Sequence, residues 1–299
     1  MSILYGFYQS DSGQIKVFNK DFRATSSKQS IEAGIGMVHQ HFMLVDNFTV
    51  LENVVLGSEG GALITESLSN ARIELTRLAK EYGLEVELDI AVEELSVGMQ
   101  QRVEILKGLY KGAKVLILDE PTNHLDIESI IWLEDFLSEY PGGVLLISHD
   151  RAFLDKVTNR TIELVNGKLY DYRTSYSKFV ELRQERQAKQ VNAAKRQAKE
   201  IEETEKLINK FRAKKNKATF AQTLIRKLEK TEIIKVDDLE ENAINFRFPE
   251  APRSGKIVVN IEELTKKYGH HTVLNNINFT LERGEKIAFV GKNGEGKTT

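Results

Sequence analysis

Short apolar runs of strand length punctuate the first 170 residues: GIGMVHQ (34–40), AKVLILDEP (113–121), GGVLLISHD (142–150) and RTIELVNGKL (160–169). Helix-like stretches lie between them, such as LTRLAKEYGL (75–84) and GMQQRVEILKGLY (98–110). Strand-length runs alternating with helices predict an α/β domain with a largely parallel sheet. In such sheets ligands bind in the crevice at the carboxyl ends of the strands. Gln40, Asp119, Glu120 and His149 fall at those ends.

The pattern changes over residues 175–240, where proline and glycine vanish and Lys, Arg, Glu, Gln and Ala dominate. Val191, Ala194, Ala198, Ile201 and Ile208 form a narrow seam of coiled-coil spacing. The seam breaks in FRAKKNKATF (211–220), and Leu224 and Leu228 begin another. This predicts a helical hairpin with a basic tip and arms of about 30 residues, each reaching roughly 45 Å. From residue 246 the pattern is strand-like again, as several short strands that run into a glycine-rich loop. Three regions follow: 1–174, the hairpin at 175–245, and 246–299.

Charge sharpens the middle region. The chain carries a formal charge of −2, yet residues 183–230 hold 15 Lys and Arg against 6 Asp and Glu. A basic block in an otherwise acidic chain suits an anionic partner. Cysteine is absent. That excludes a disulfide framework, thiolate catalysis and cysteine metal sites. The N-terminus lacks the pattern of a secretory leader, and no apolar run approaches the ~18 residues of a membrane span.

The last residues carry the clearest chemistry. Gly291, Gly296, Lys297 and Thr298 satisfy G-x-x-x-x-G-K-[ST] behind the apolar run KIAFV (286–290). In this motif glycines, here with Asn293 and Gly294 between them, let backbone N–H groups wrap phosphate oxygens. The lysine reaches the terminal phosphates and the hydroxyl ligates Mg²⁺. His39/His41 and His270/His271 lack the carboxylate or cysteine company of a metal site.

Four upstream stretches complete a pattern: VHQHF with Gln40, LSVGMQQR (95–102), VLILDEP (115–121) and LLISHD (145–150). Their order and spacing resemble the ATP-binding-cassette (ABC) ATPases. The resemblance implies a P-loop NTPase fold and the cofactors ATP and Mg²⁺. It identifies Gln40 as a Mg²⁺ and water contact, Asp119 as the carboxylate holding hydrated Mg²⁺, Glu120 as the general base and His149 as the switch histidine. Ser96, Val97, Gly98 and Met99 resemble the signature turn that caps the γ-phosphate of a partner domain's site. Asp126 belongs to the D-loop, Tyr268 is placed to stack on adenine, and Thr299 closes the phosphate loop. Phosphoryl transfer itself needs positioning and charge neutralisation more than covalent chemistry.

The halves resemble different branches. Residues 1–122 are similar to ATP-binding subunits of sugar or nucleoside importers, which work with a membrane permease. Residues 123–299 are similar to the ABC-F family, cytoplasmic proteins with two cassettes that act on ribosomes. The hairpin then implies contact with ribosomal RNA or tRNA through 183–230. The chain reads as a hybrid joined within 116–122. It also reads as a window from a tandem protein, in which the second cassette is represented by its first strands and phosphate loop. Three functions stay open: an ABC-F-like ATPase, an importer ATPase, and a non-catalytic fragment that binds RNA. In the family ATP sits between two cassettes arranged head to tail, so a second cassette is an implied partner. If residues 254–299 instead dock as a permuted part of the first cassette, strand 286–290 is expected beside strand 115–119.

Overall fold

The computed structural model describes residues 1–39, 42–56, 64–212, 217–231, 234, 255–291 and 293–299. Gln40 and His41, the hairpin tip at 213–216, most of 232–254, and Lys292 lie outside the described residues. Two compact units emerge: Met1–Val157 with Glu250–Thr299, and Thr158–Pro249.

The first unit opens with a small antiparallel pair, β1 (Ile15–Val17) and β2 (Lys20–Phe22), and a short helix α1 (Ser27–Glu32). β3 (Ile35–Val38) follows, then the helices α2 (Val50–Val55), α3 (Ile64–Glu81) and α4 (Val97–Tyr110). β4 (Val115–Asp119), α5 (Ile127–Glu139), β5 (Gly143–Ile147) and α6 (Arg151–Val157) complete this body. β3, β4 and β5 form one parallel sheet in that order, with Ile35 opposite Val115 and Val115 opposite Gly143.

The apolar run in β4 is continuous because both faces of the strand are covered. Successive side chains point to opposite faces. Leu116 and Leu118 join the main core with Val103, Ile105, Leu106 and Leu133, while Ile117 joins a smaller cluster with Tyr5 and Ile35. Helix starts follow local chemistry. Thr49 and Glu52 make a reciprocal capping box at α2. Ser96 accepts from the Met99 N–H at α4, and Asp126 from the Ser129 N–H at α5.

The same unit contains β8 (Ile257–Tyr268) and β9 (His271–Glu282), numbered after the strands and helices of the second unit. They are two long antiparallel strands rather than several short ones, bent where Glu263 and Asn276 adopt positive φ. Residues 286–290 form no strand. The expected place beside 115–119 is already taken, since β4 has β3 on one side and β5 on the other.

The second unit starts with the antiparallel pair β6 (Thr161–Val165) and β7 (Lys168–Tyr172), turning at Asn166 and Gly167, both at positive φ. Two helices follow, α7 (Tyr176–Arg212) of 37 residues and α8 (Ala218–Glu229) of 12. The arms of the hairpin are thus unequal where near-equal ones were expected. α7 ends at Arg212, where the seam pattern breaks, and its Lys/Arg/Glu/Gln/Ala composition of strong helix formers sustains it over its length without a broad apolar face.

Candidate active site

The carboxyl end of the β3–β4–β5 sheet presents one group of the expected residues. Asp119 is the last residue of β4. Glu120 follows at φ +48°, a left-handed conformation that costs a non-glycine side chain energy and is tolerated where surroundings impose it. What imposes it is visible. The Glu120 N–H donates to the Ile147 carbonyl at 2.9 Å, and its Oε2 accepts from the His149 N–H at 3.2 Å. Its Oε1 lies 3.2 Å from His149 Nε2. The turn therefore aims Glu120 across the end of β5, where its side chain is 12% exposed while His149 is 95% exposed. Thr122 and Ser148 hydroxyls meet at 3.4 Å beside this pair.

A second group gathers around the starts of α4 and α5. Gly98 is buried, and a Cβ there would sit 2.1 Å from Ser129 Oγ. Only glycine lets the two helix starts approach so closely. The Ser129 N–H in turn donates to the capping Asp126 Oδ1. Ser129 hydrogen bonding foremost, then the Asn293 N–H and the Lys297 charge, holds the Asp126 carboxyl below the usual carboxylate range. The buried Gln101 ties α4 to the segment after β4 through Nε2 to the Pro121 carbonyl, at 2.8 Å.

The glycine-rich loop reaches this second group. The Asn293 N–H donates to Asp126 Oδ2 at 3.1 Å, and Asn293 Nδ2 donates to the His124 carbonyl at 2.9 Å. Gly294 and Gly296 adopt φ +92° and +74°, so the loop needs glycine at both. Space beside Gly294 is open, whereas a Cβ at Gly296 would collide with Val273. Lys297 Nζ donates to the Gly291 carbonyl at 2.7 Å and folds over the loop's own entrance. Thr298 is exposed, and the Thr299 N–H closes a turn on the Gly296 carbonyl.

The expected residues thus fall into two sets. Gly98, next to Ser96, Val97 and Met99, packs on Ser129, which bonds Asp126, and Asp126 meets the phosphate loop. Asp119, Glu120 and His149 sit together at the sheet. Tyr268 ends β8, exposed, with Lys266 Nζ 4.8 Å from its ring centre. Gln40 lies outside the described residues. Sequence reasoning placed His124 within the D-loop stretch 123–126 but missed Asn293 as the residue that ties loop to body, and missed Gln101 and Ser129. Gly98 held the one readable hint, a glycine at the start of a helix, where it is not a good helix former.

Two family models, each described as ABC transporter, match residues 1–123 with 274–299 and residues 162–248. The chain is 38% identical to ATP-binding protein ChvD of Rhizobium radiobacter over 219 residues, 71% of this chain and 73% of that protein. It is 36% identical to ABC transporter F family member 2 of Arabidopsis thaliana over 235 residues, 78% of this chain and 34% of that protein. ABC transporter F family member 5 of the same plant is 29% identical over all of this chain and 47% of its own length. The chain thus spans a third to a half of these plant relatives. These matches show that the chain belongs to the ABC transporter ATPase family.

Proposed function

We propose that this protein binds and hydrolyses ATP as an ABC-F-like ATPase. The observation that carries the reading is the junction of Asn293 with Asp126 and His124. It brings a phosphate loop to the start of α5, 167 residues away in sequence at Asp126. Loop amides and Lys297 would hold the phosphates, Tyr268 the adenine, and the turn at Ser96–Met99 the far side of the γ-phosphate. The loop's open flank and exposed Thr298 hydroxyl suit a hydrated cation, and with Asp119 and Gln40 would hold Mg²⁺, which neutralises phosphate charge when bound. Glu120 takes a proton from the attacking water. The water oxygen bonds to the γ-phosphorus as the bond to the ADP oxygen breaks, and His149 positions the base.

In this reading residues 1–174 act as one cassette, 175–245 as the linker, and 246–299 as the start of a second cassette that pairs head to tail with the first. The basic face of 183–230 contacts ribosomal RNA or tRNA phosphates in the cytoplasm. Among the described residues no helix is long and apolar enough to cross a membrane, and the F-family relatives favour this branch over an importer. Single-turnover hydrolysis of ATP tests the enzyme. Turnover that disappears in Glu120→Gln supports it, and turnover unchanged by that substitution refutes it. Binding of structured RNA should weaken steeply with added salt, because phosphate contacts release counterions.

A further inference from the structure

The chain outside 183–230 is acidic, yet one patch of the first unit runs the other way. Residues 107–114 hold three lysines and no acidic residue, and residues 14–34 hold four Lys and Arg against two Asp and Glu. The fold joins these stretches where the Lys114 N–H donates to the Gly34 carbonyl at 2.7 Å. Between them lies a cleft of about 830 Å³, within the size range of ligand sites. Its walls are Phe18 at the tip of the β1–β2 hairpin, α1 with Lys28 and Glu32, and the end of α4 with Tyr110, Lys111 and Lys114.

Phe18 is the unusual member. Ile15 faces Phe22 and Val17 faces Lys20, so Phe18 and Asn19 form a two-residue turn, at φ +48° and +63°. Such a turn favours Asn-Gly, and a bulky aromatic side chain in that conformation is strained. Strain persists where surrounding structure imposes it. Packing does not impose it here, because Phe18 is 57% exposed. Its ring faces Lys114, whose Nζ lies 5.7 Å from the ring centre. An asparagine would suit the turn better, so folding alone does not account for an aromatic ring at this position.

The charges complete the picture. Lys28 and Lys114 are exposed. Lys111 is partly buried and its Nζ donates to the Leu56 carbonyl at 3.3 Å, so it lends charge to the cleft rather than a free contact. Burial foremost, then the neighbouring Lys107, pushes its ammonium below the usual lysine range, and an anion nearby relieves that. A cationic groove beside an exposed aromatic face suits single-stranded nucleic acid, with phosphates on the cations and a base on the ring. A duplex keeps its bases stacked within itself, and an acidic peptide would use the lysines and leave the ring idle. Glu32, the one carboxylate among these described lining residues, is an acceptor for the ribose 2′-hydroxyl that separates RNA from DNA.

We propose that this cleft binds single-stranded RNA, with one base stacked on Phe18 and the flanking phosphates on Lys28 and Lys114. The site belongs to the first unit, whereas the basic hairpin belongs to the second. It needs neither hydrolysis nor the phosphate loop. The test is fluorescence anisotropy of a short labelled oligouridylate without ATP. The full chain carries Lys210→Gln and Lys217→Gln, to reduce binding by the hairpin. Phe18→Asn should weaken binding about tenfold, the effect of one base stack. The same variant should raise the urea midpoint, since asparagine suits the turn. Lys28→Gln with Lys114→Gln should flatten the slope of log K against log salt by about 1.4. Absence of binding, or binding unchanged in Phe18→Asn, overturns the proposal. So does a lower urea midpoint in that variant, which would give the ring a role in folding. Displacement by excess ATP would place the strand at the phosphate loop and overturn it as well. Equal competition by polyglutamate would assign the cleft to an acidic peptide instead. Equal binding of the deoxy strand would overturn the assignment to RNA.

Discussion

The β3–β4–β5 body and the β8–β9 hairpin belong to one compact unit, yet they are held together by different means. The body buries its strands on both faces, with Leu116, Ile117 and Leu118 wholly excluded from water. In the hairpin, apolar Ile257, Val258, Val259, Leu264 and Ile277 are exposed. Backbone pairing and side-chain bonds such as Thr280 Oγ1 to Asn260 Oδ1 hold it instead. Hydrogen bonding alone gives a strand its shape, while burial gives it a place. The body is therefore a buried platform beneath Glu120 and His149, and the hairpin is an exposed arm that leads into the loop.

That contrast orders the expected effects of mutation. The largest belongs to chemistry on the platform: Glu120→Gln should lower single-turnover hydrolysis by about 10²–10⁴-fold with little change in nucleotide affinity. Equal loss of affinity would mean the residue acts in binding. Next comes the core. Leu116→Ala should cost about 2–5 kcal/mol in urea unfolding, and Val259→Ala in the hairpin should stay within about 0.5 kcal/mol. Similar values for the two would erase the difference between platform and arm.

Gly98→Ala should follow at about 1–3 kcal/mol, since its methyl would overlap Ser129. Ser129→Gly should recover part of that loss in the same unfolding measurement. The smallest effect is on the contact that joins the regions. Asp126 carries a depressed folded-state value. Its contribution is therefore complete above the unfolded carboxylate pKa of about 3.9 and vanishes as pH falls through the lower folded value. Asp126→Asn keeps an oxygen to accept from the Ser129 N–H, so it should lose only the charge's interaction with the helix start, about 0.3–1 kcal/mol at neutral pH, and nothing once the pH is well below about 3.9. A stability difference that persists at low pH would assign its role to shape rather than charge.

Much of the platform was legible because its strands are continuous apolar runs bounded by polar turns. The residues 98–110 read as helical became α4, Val97–Tyr110, and 115–119 became β4. What was not legible depended on partners far along the chain. The run 286–290 has every local property of a strand, yet it forms none, and both sides of β4, where it was expected, are occupied by β3 and β5. The extent of β8 and β9 was hidden because the bends at Glu263 and Asn276 break the two-residue alternation. In the site, Glu120 and His149 were picked out by resemblance, and nothing in either residue alone foretold their contact. The tie from Asn293 to Asp126 spans 167 residues, beyond any periodicity.

The central claim is that residues 291–299, set against His124 and Asp126 at the start of α5, form a nucleotide site. Equilibrium binding of a fluorescent ATP analogue with Mg²⁺ tests it most directly, comparing wild type with Lys297→Ala. The account predicts saturable binding by wild type and at least about 100-fold weaker binding by the variant, roughly 3 kcal/mol. No binding by wild type, or equal binding by both, would contradict it.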